Sequence, residues 1–221
     1  MDRHDSKVPG CKVVLLGDSG VGKTCIIKRF VSNSFESNMI TTNAANYCSK
    51  MVKFENLGKS LLFDIWDTAG QEKYRALTKF FYKDAVVVIL VYDITRVDSF
   101  ENMKNYWYKQ LQENCDKSIV IGVAGNKSDL FVDEKVSESE ARDFADKIGA
   151  IFELTSAQNN TGIIELFLDV GNKYLDPNFQ QKYKIIEKEK EEKGQDKSIV
   201  LNNKENKTKE QKKEKRILLI F

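Results

Sequence analysis

The sequence predicts an α/β domain: a mostly parallel, six-stranded sheet with one antiparallel edge strand and helices on both faces. Three observations carry that reading. Strand-like and helix-like patterns alternate from Lys12 to about Leu175, the order that places parallel strands side by side through helical crossovers. The apolar runs are short and uninterrupted, as expected of strands buried on both sides. Met51–Asp64 breaks the alternation with two short strands around Asn56-Leu57-Gly58, a hairpin that supplies the antiparallel edge.

In chain order, Val13–Leu16 reads as the first strand, and Leu61–Trp66 contains the second arm of the hairpin. Val86–Tyr92, Ile119–Ala124 and Ile151–Leu154 follow as further buried strands. Between them, Asp98 with Glu101 and Ser137 with Glu140 each match a capping box, a side-chain acceptor three residues before a carboxylate. Thr161 precedes the apolar series Ile163, Leu166, Phe167 and Val170, and Pro177 closes that last helix. Residues 1–9 read as a flexible N-terminus, 10–176 as the folded domain and 177–221 as a charged, disordered tail. Residues 178–221 carry 13 Lys and Arg against 8 Asp and Glu, a net +5, whereas 1–177 carry a net −3. So few apolar residues cannot offset the entropy of ordering that tail, although its tip, Ile217–Phe221, is apolar again.

Composition removes several functions. The 221 residues hold 35 basic and 33 acidic side chains, a net +2, so no one-signed field points to nucleic acid as a partner. No apolar run approaches the roughly 18 residues of a membrane span, and the start MDRHDSKVPG lacks the apolar stretch of a signal peptide. Cys11, Cys25, Cys48 and Cys115 form no CxxC pair, which suits a reducing, cytoplasmic setting. The single histidine, His4, sits in the N-terminal segment, so a Ser–His pair or a His-liganded zinc is excluded. Chemistry is left to Lys, Asp, Gln, Thr, backbone amides and a borrowed metal.

Between the first strand and first helix stands Gly17-Asp-Ser-Gly-Val-Gly22-Lys23-Thr24, a G-x-x-x-x-G-K-[ST] phosphate loop. Its glycines permit a turn whose amides, from Ser19, Gly20, Val21 and Gly22 to Lys23, Thr24 and Cys25, converge on phosphate oxygens at a helix N-terminus. Lys23 reaches the outer phosphates and Thr24 Oγ1 binds Mg²⁺ in this reading. Asn126-Lys127-Ser128-Asp129 follows a strand on the carboxyl edge, where ligands of such sheets lie. A carboxylate at Asp129 accepts from both N1–H and the exocyclic amine of guanine, and adenine would leave it unpaired at a cost on the order of 2–5 kcal/mol. Thr155-Ser156-Ala157 ends the next strand and offers a backbone amide to the base O6.

Trp66-Asp67-Thr68-Ala69-Gly70-Gln71-Glu72, together with the phosphate loop and Asn126–Asp129 in this order and spacing, resembles the Ras superfamily of small GTPases. Val91-Tyr-Asp-Ile-Thr95, Gly125–Leu130 and Cys11–Gly20 are similar to segments of its Rab branch. The resemblance covers residues 10–176 and implies a P-loop NTPase G domain that binds GTP or GDP with Mg²⁺. It implies that Asp67 holds Mg²⁺ through water, that the Gly70 amide senses the γ-phosphate, and that Gln71 orients the attacking water. Lys23, Thr42 and Gln71 are then the catalytic set, and Thr24, Thr42 and Asp67 the metal set. Phe35, twelve residues after Lys23, lies where an aromatic meets the base. Thr42, seven residues further on, has the spacing of the threonine shared by Mg²⁺ and γ-phosphate, and Thr41 beside it could take that place.

The chain also departs from the Rab pattern. Asn43-Ala44 replaces the usual Ile-Gly, Asp84 stands where Rabs usually carry glycine, and Gln158 where many relatives carry lysine. Tyr47, Trp66 and Phe81 match an aromatic trio on the switch surface. Effectors, exchange factors and GTPase-activating proteins are therefore expected along 35–47 and 67–81. The sequence has no cysteine after Cys115 and so offers no C-terminal prenylation site, which limits the expected membrane contact to a weak, peripheral one. The expected function is slow, Mg²⁺-dependent GTP hydrolysis driving a two-state switch in vesicle trafficking, with a cytoplasmic or peripheral endomembrane location. A non-cycling GTP-binding scaffold is the alternative.

Overall fold

The computed structural model describes residues 8–36, 46–68, 83–115 and 118–179. Thr41, Thr42, Gly70, Gln71 and Phe81 lie outside the described residues. The chain divides after Asp176, and every element below belongs to the unit before that point.

Strand β1 (Gly10–Leu16) leads through the glycine-rich loop to helix α1 (Lys23–Ser32). A hairpin of β2 (Asn46–Phe54) and β3 (Lys59–Asp67) follows, and then β4 (Val87–Asp93). Helix α2 (Val97–Asn102) runs through a π-helical segment (Met103–Trp107) into α3 (Tyr108–Asn114). The remainder is β5 (Val120–Asn126), a 3₁₀ segment (Ser128–Asp133), α4 (Glu138–Lys147), β6 (Ile151–Thr155) and α5 (Ile163–Leu175). The six strands lie in the order β2-β3-β1-β4-β5-β6, with β2 and β3 antiparallel and every other pair parallel. The predicted architecture is therefore the observed one.

Alternation along the strands divides the core in two. Val14, Leu16, Val88 and Leu90 pack with Phe100, Met103 and Trp107 of the α2–α3 layer and Ala141 of α4. On the opposite face the core is aromatic: Phe30 of α1 stacks on Phe167 of α5 with ring centroids 3.7 Å apart, and Phe63 of β3 meets both edge-on at 5.7 Å. Each such ring contributes roughly 1.5–3 kcal/mol of burial, and the T-shaped pairs add to it.

Local expectations were corrected in three places. The hairpin strands are longer than Met51–Asp64 allowed, because β2 lies at the sheet edge with alternately exposed residues of mixed polarity and is defined by its pairing to β3, from Asn46↔Asp67 to Phe54↔Lys59. Ser137 does cap α4, accepting from the Glu140 amide at 3.3 Å, but Asp98 is no cap. It sits in the first turn of α2 and pairs with Arg96 at 2.7 Å, while Ser99 Oγ accepts from the Asp93 amide and donates to the Arg96 carbonyl. Thr161 does not cap α5 either. Its backbone pairs with Ser156 in both directions, and Gly162, in the left-handed region at φ 68°, starts the helix. Asp84 adopts φ 60°, which accounts for the glycine usual there: aspartate is among the few residues that tolerate this conformation.

Gly171 of α5 lets that helix lie against the hairpin. A Cβ there would run into the Phe54 ring and come within 3.0 Å of Phe63 Cζ. Alanine gains about 1 kcal/mol of helix propensity, but overpacking at buried rings costs about 1–3 kcal/mol. Gly171→Ala is expected to lower the urea midpoint, and a raised midpoint would show that the aromatic layer gives way freely.

Candidate functional site

The strands β1, β4, β5 and β6 end at one edge, and the segments that follow them meet there. The glycine-rich loop is held from inside by Lys23, which is 6% exposed and donates Nζ–H to the carbonyls of Gly17 at 2.7 Å and Asp18 at 2.9 Å. Gly20 and Gly22 take φ 78° and 96°, conformations that a side chain would strain. At Gly22 a Cβ would also collide with the Asn126 amide. Gly22 caps α1 without a side-chain acceptor, and the first turn carries no acidic residue. The N-terminal amides and the positive end of the helix dipole suit an anion.

Behind the loop, Asp67 at the end of β3 is 2% exposed. Its Oδ2 accepts from Thr24 Oγ1 at 2.6 Å, and its Oδ1 is buried with no hydrogen-bond partner among the described residues. Burial raises the Asp67 pKa, with Thr24 and Lys23 acting in the opposite direction. Burial also pushes Lys23 down to about 8 against the pull of Asp67 and Asp18. An unsatisfied carboxylate oxygen beside a threonine hydroxyl is a hard-oxygen donor set that fits Mg²⁺. No cluster of three or more His, Cys, Asp or Glu able to hold a metal occurs among the described residues. Mg²⁺ usually completes its coordination with water and the phosphate oxygens of its substrate.

Asn126 ties the loop to the two following strands. Its side-chain amide donates to the Val21 carbonyl at 2.7 Å and accepts from Thr155 Oγ1 at 3.2 Å. Lys127 is in the left-handed region at φ 67°, unusual for lysine, and its Nζ meets Asp93 Oδ2 at 2.6 Å. Asp129 Oδ1 accepts from the buried Ser156 hydroxyl at 2.5 Å, so the carboxylate is aimed before any ligand arrives. Ala157 is buried, Gln158 is exposed, and Phe35 is half-buried just beyond α1. Ser19 and Cys25 are half-buried around the loop. Asn126, Asp129, Ser156 and Ala157 thus converge, as do Lys23, Thr24 and Asp67.

Sequence reasoning missed the outer braces. Asp18 accepts from Trp107 Nε1 at 2.8 Å and Asn102 Nδ2 at 2.7 Å, and Arg96 Nη1 donates to the Ser19 carbonyl at 3.1 Å. These contacts fasten the phosphate loop to both ends of α2 and, through Trp107, to the π-helical segment, and π turns recur at functional sites. Asp93 had one usable signal, a carboxylate closing an apolar strand opposite Asn126. The Asp18 contacts had none, since they join positions 84 and 89 residues apart.

Burial lowers the Lys23 pKa to about 8 in the folded protein, against the ordinary 10.5. The unfolded chain therefore binds more protons in that window, and the folded protein gains stability from this group as pH rises from 8 to 10.5. A phosphate against Lys23 reverses the shift. GDP binding at pH 9 is expected to take up most of a proton, seen as buffer-dependent heats in calorimetry. Heats independent of the buffer at pH 9 would overturn this account.

The Ras family model matches residues 12–176. The chain is 45% identical over 162 residues to Ras-related protein Rab-22A of Homo sapiens, covering 73% of this chain and 82% of that protein. It is 45% identical over 156 residues to Ras-related protein RGP2 of Oryza sativa subsp. japonica, 71% of this chain and 70% of that one. Ras-related protein Rab-21 of Bos taurus is 43% identical over 165 residues, 75% and 73% of the two chains. With a G-x-x-x-x-G-K-[ST] loop, a Thr24–Asp67 pair and the Asn126–Asp129 segment gathered at one side of such a sheet, the chain belongs to the Ras family and is a Rab-like small GTPase, binding GTP and GDP with Mg²⁺ and hydrolysing GTP to GDP and phosphate.

Proposed function

We propose that this GTPase works as a Mg²⁺-dependent switch with slow intrinsic turnover, acting on endomembranes in vesicle trafficking. The observation that carries the reading is the Thr24–Asp67 pair with its orphaned, buried carboxylate oxygen, next to a lysine whose pKa burial lowers to about 8. Both groups stand ready for ligands of opposite charge. The amides of Ser19, Gly20, Val21, Gly22, Lys23, Thr24 and Cys25 cradle the phosphates, and Lys23 neutralises charge developing on the outer ones. Thr24 and Asp67 hold Mg²⁺, joined by Thr42 in the GTP form. A bound Mg²⁺ supplies charge neutralisation across the phosphates. Gly70 and Gln71 meet the γ-phosphate and its attacking water.

On the base side, Asp129 reads the N1–H and amine edge of guanine, the Ala157 amide meets O6, and Asn126, Lys127, Ser156 and Gln158 frame the pocket with Phe35. Partner proteins engage 35–47 and 67–81. Support for that surface is the cross-strand pair of Tyr47, 56% exposed, with half-buried Trp66, ring centroids 5.4 Å apart at the sheet edge. No helix of the described residues is long and apolar enough to cross a membrane, in keeping with peripheral attachment.

Two measurements test this reading. In single-turnover assays, chelating Mg²⁺ is expected to stop hydrolysis and speed GDP release, and Gln71→Leu to leave GTP affinity intact while slowing hydrolysis by about tenfold or more. Full turnover in EDTA would refute the metal assignment. For the base, Asp129→Asn removes the acceptor for the guanine amine and offers a donor to the C2 carbonyl of xanthine. The variant is expected to exchange GDP for XDP, and retained guanine preference would sink the Asp129 assignment.

A further inference from the structure

We propose that Arg29 is the positioning residue of the guanine pocket, a staple that holds the O6-reading turn and the aromatic end of α1 in one geometry. The proposal rests on the base site described under Proposed function. Arg29 lies in the last turn of α1, half-buried, 128 residues from the turn it contacts. Its Nε donates to the Ala157 carbonyl at 2.8 Å and its Nη2 to the Gln158 carbonyl at 3.2 Å. Its Nη1 donates to the Asn33 carbonyl at 3.0 Å and to Asn33 Oδ1 at 3.1 Å. The Phe35 ring centroid lies 6.0 Å from its Cζ.

Among the described residues Arg29 has no carboxylate partner, so its fork is spent wholly on amide and carbonyl oxygens. That pattern has a directional consequence. In a trans peptide the C=O and N–H point opposite ways. Drawing the Ala157 carbonyl toward α1 turns the Gln158 N–H away from it and fixes the swing of the turn that carries the Ala157 amide. Ser156, at the head of that turn, is pinned from the other side by its backbone pair with Thr161 and aims Asp129 through its hydroxyl. The same guanidinium fixes Asn33, at φ 52°, from which the chain runs to Phe35. One side chain therefore sets the two segments between which a base would sit. A lysine cannot do this, because one ammonium lacks the planar fork that spans four oxygens on two segments.

The test uses the full chain, with Arg29→Lys and Arg29→Met beside the unaltered protein. Both variants are expected to release GDP about tenfold faster or more, the equivalent of two or three lost hydrogen bonds. Looser packing alone could do that, so the deciding readout is base discrimination. Affinities are measured for GDP, IDP and the diphosphate of 2,6-diaminopurine riboside, which presents an amine in place of O6. Loss of the staple should weaken GDP and IDP in parallel and the diaminopurine nucleotide less, since only the Phe35 side of its site is loosened, so the guanine preference over it falls several-fold. An equal loss for all three nucleotides, or unchanged GDP release, would overturn the proposal. Arg29→Lys keeps stem and charge, and so answers the question if Arg29→Met does not fold. Should Asp129→Asn exchange GDP for XDP while the Arg29 variants keep their selectivity, only the staple fails. If Asp129→Asn does not exchange, the base reading fails first.

Discussion

The Asn126 side chain is the contact on which the site's geometry depends. It occupies the space that a Cβ at Gly22 would need, holds the Val21 carbonyl, and accepts from Thr155 at the end of β6. Its backbone carbonyl accepts from the Ile94 amide, just beyond β4. One buried amide thus references the phosphate loop to three strand ends at once. Such a group must be fully satisfied or not buried at all, since an unpaired amide in this position costs about 1–3 kcal/mol. The requirement for glycine at position 22 follows from the same contact, as much as from its positive φ.

Around that brace the molecule tolerates two costly burials. Lys23 and Asp67 are almost wholly removed from solvent, and burial drives each toward its neutral form. Neither group improves the packing of the protein by itself, and each would be better served by a phosphate or a cation than by its present neighbours. The surrounding structure resists collapse into this space because it is rigid on both sides. Trp107 and Asn102 hold Asp18, Arg96 holds Ser19, and Asp93 holds Lys127 against an unfavourable backbone conformation. This is preorganisation at the expense of stability, as expected where ligand charge completes the electrostatics.

Away from the site, the two faces of the sheet use different means. One face packs aliphatic strand residues against Phe100, Met103 and Trp107, and the π-helical turn there brings the Trp107 indole N–H to the phosphate loop. The other relies on the Phe30, Phe63 and Phe167 cluster and on Gly171, which admits α5 close to Phe54. At the open edge, β2 alternates exposed and half-buried residues, and Tyr47 donates to Asp64 at 2.6 Å while packing on Trp66. Within the sheet that edge strand pairs with β3 alone, so its length could not be read from apolar runs.

The sequence by itself determined the strand–helix order, the parallel sheet with its antiparallel edge, the phosphate loop, and the convergence of Asn126, Asp129 and Ser156. These are legible because they depend on local periodicity and on residue types fixed at short spacings. A fold with strands ending at a common edge then brings the motifs together without further information. The helix starts at Arg96 and Gly162, the reach of β2, the tether from Asp18 to Trp107 and the fork of Arg29 were decided only by tertiary structure. The tether and the fork depend on partners 89 and 128 residues away, and the helix starts on backbone choices such as the left-handed Gly162 that competing local caps cannot reveal. A hydroxyl or guanidinium has several acceptors available in an isolated segment, and only the packed chain selects among them.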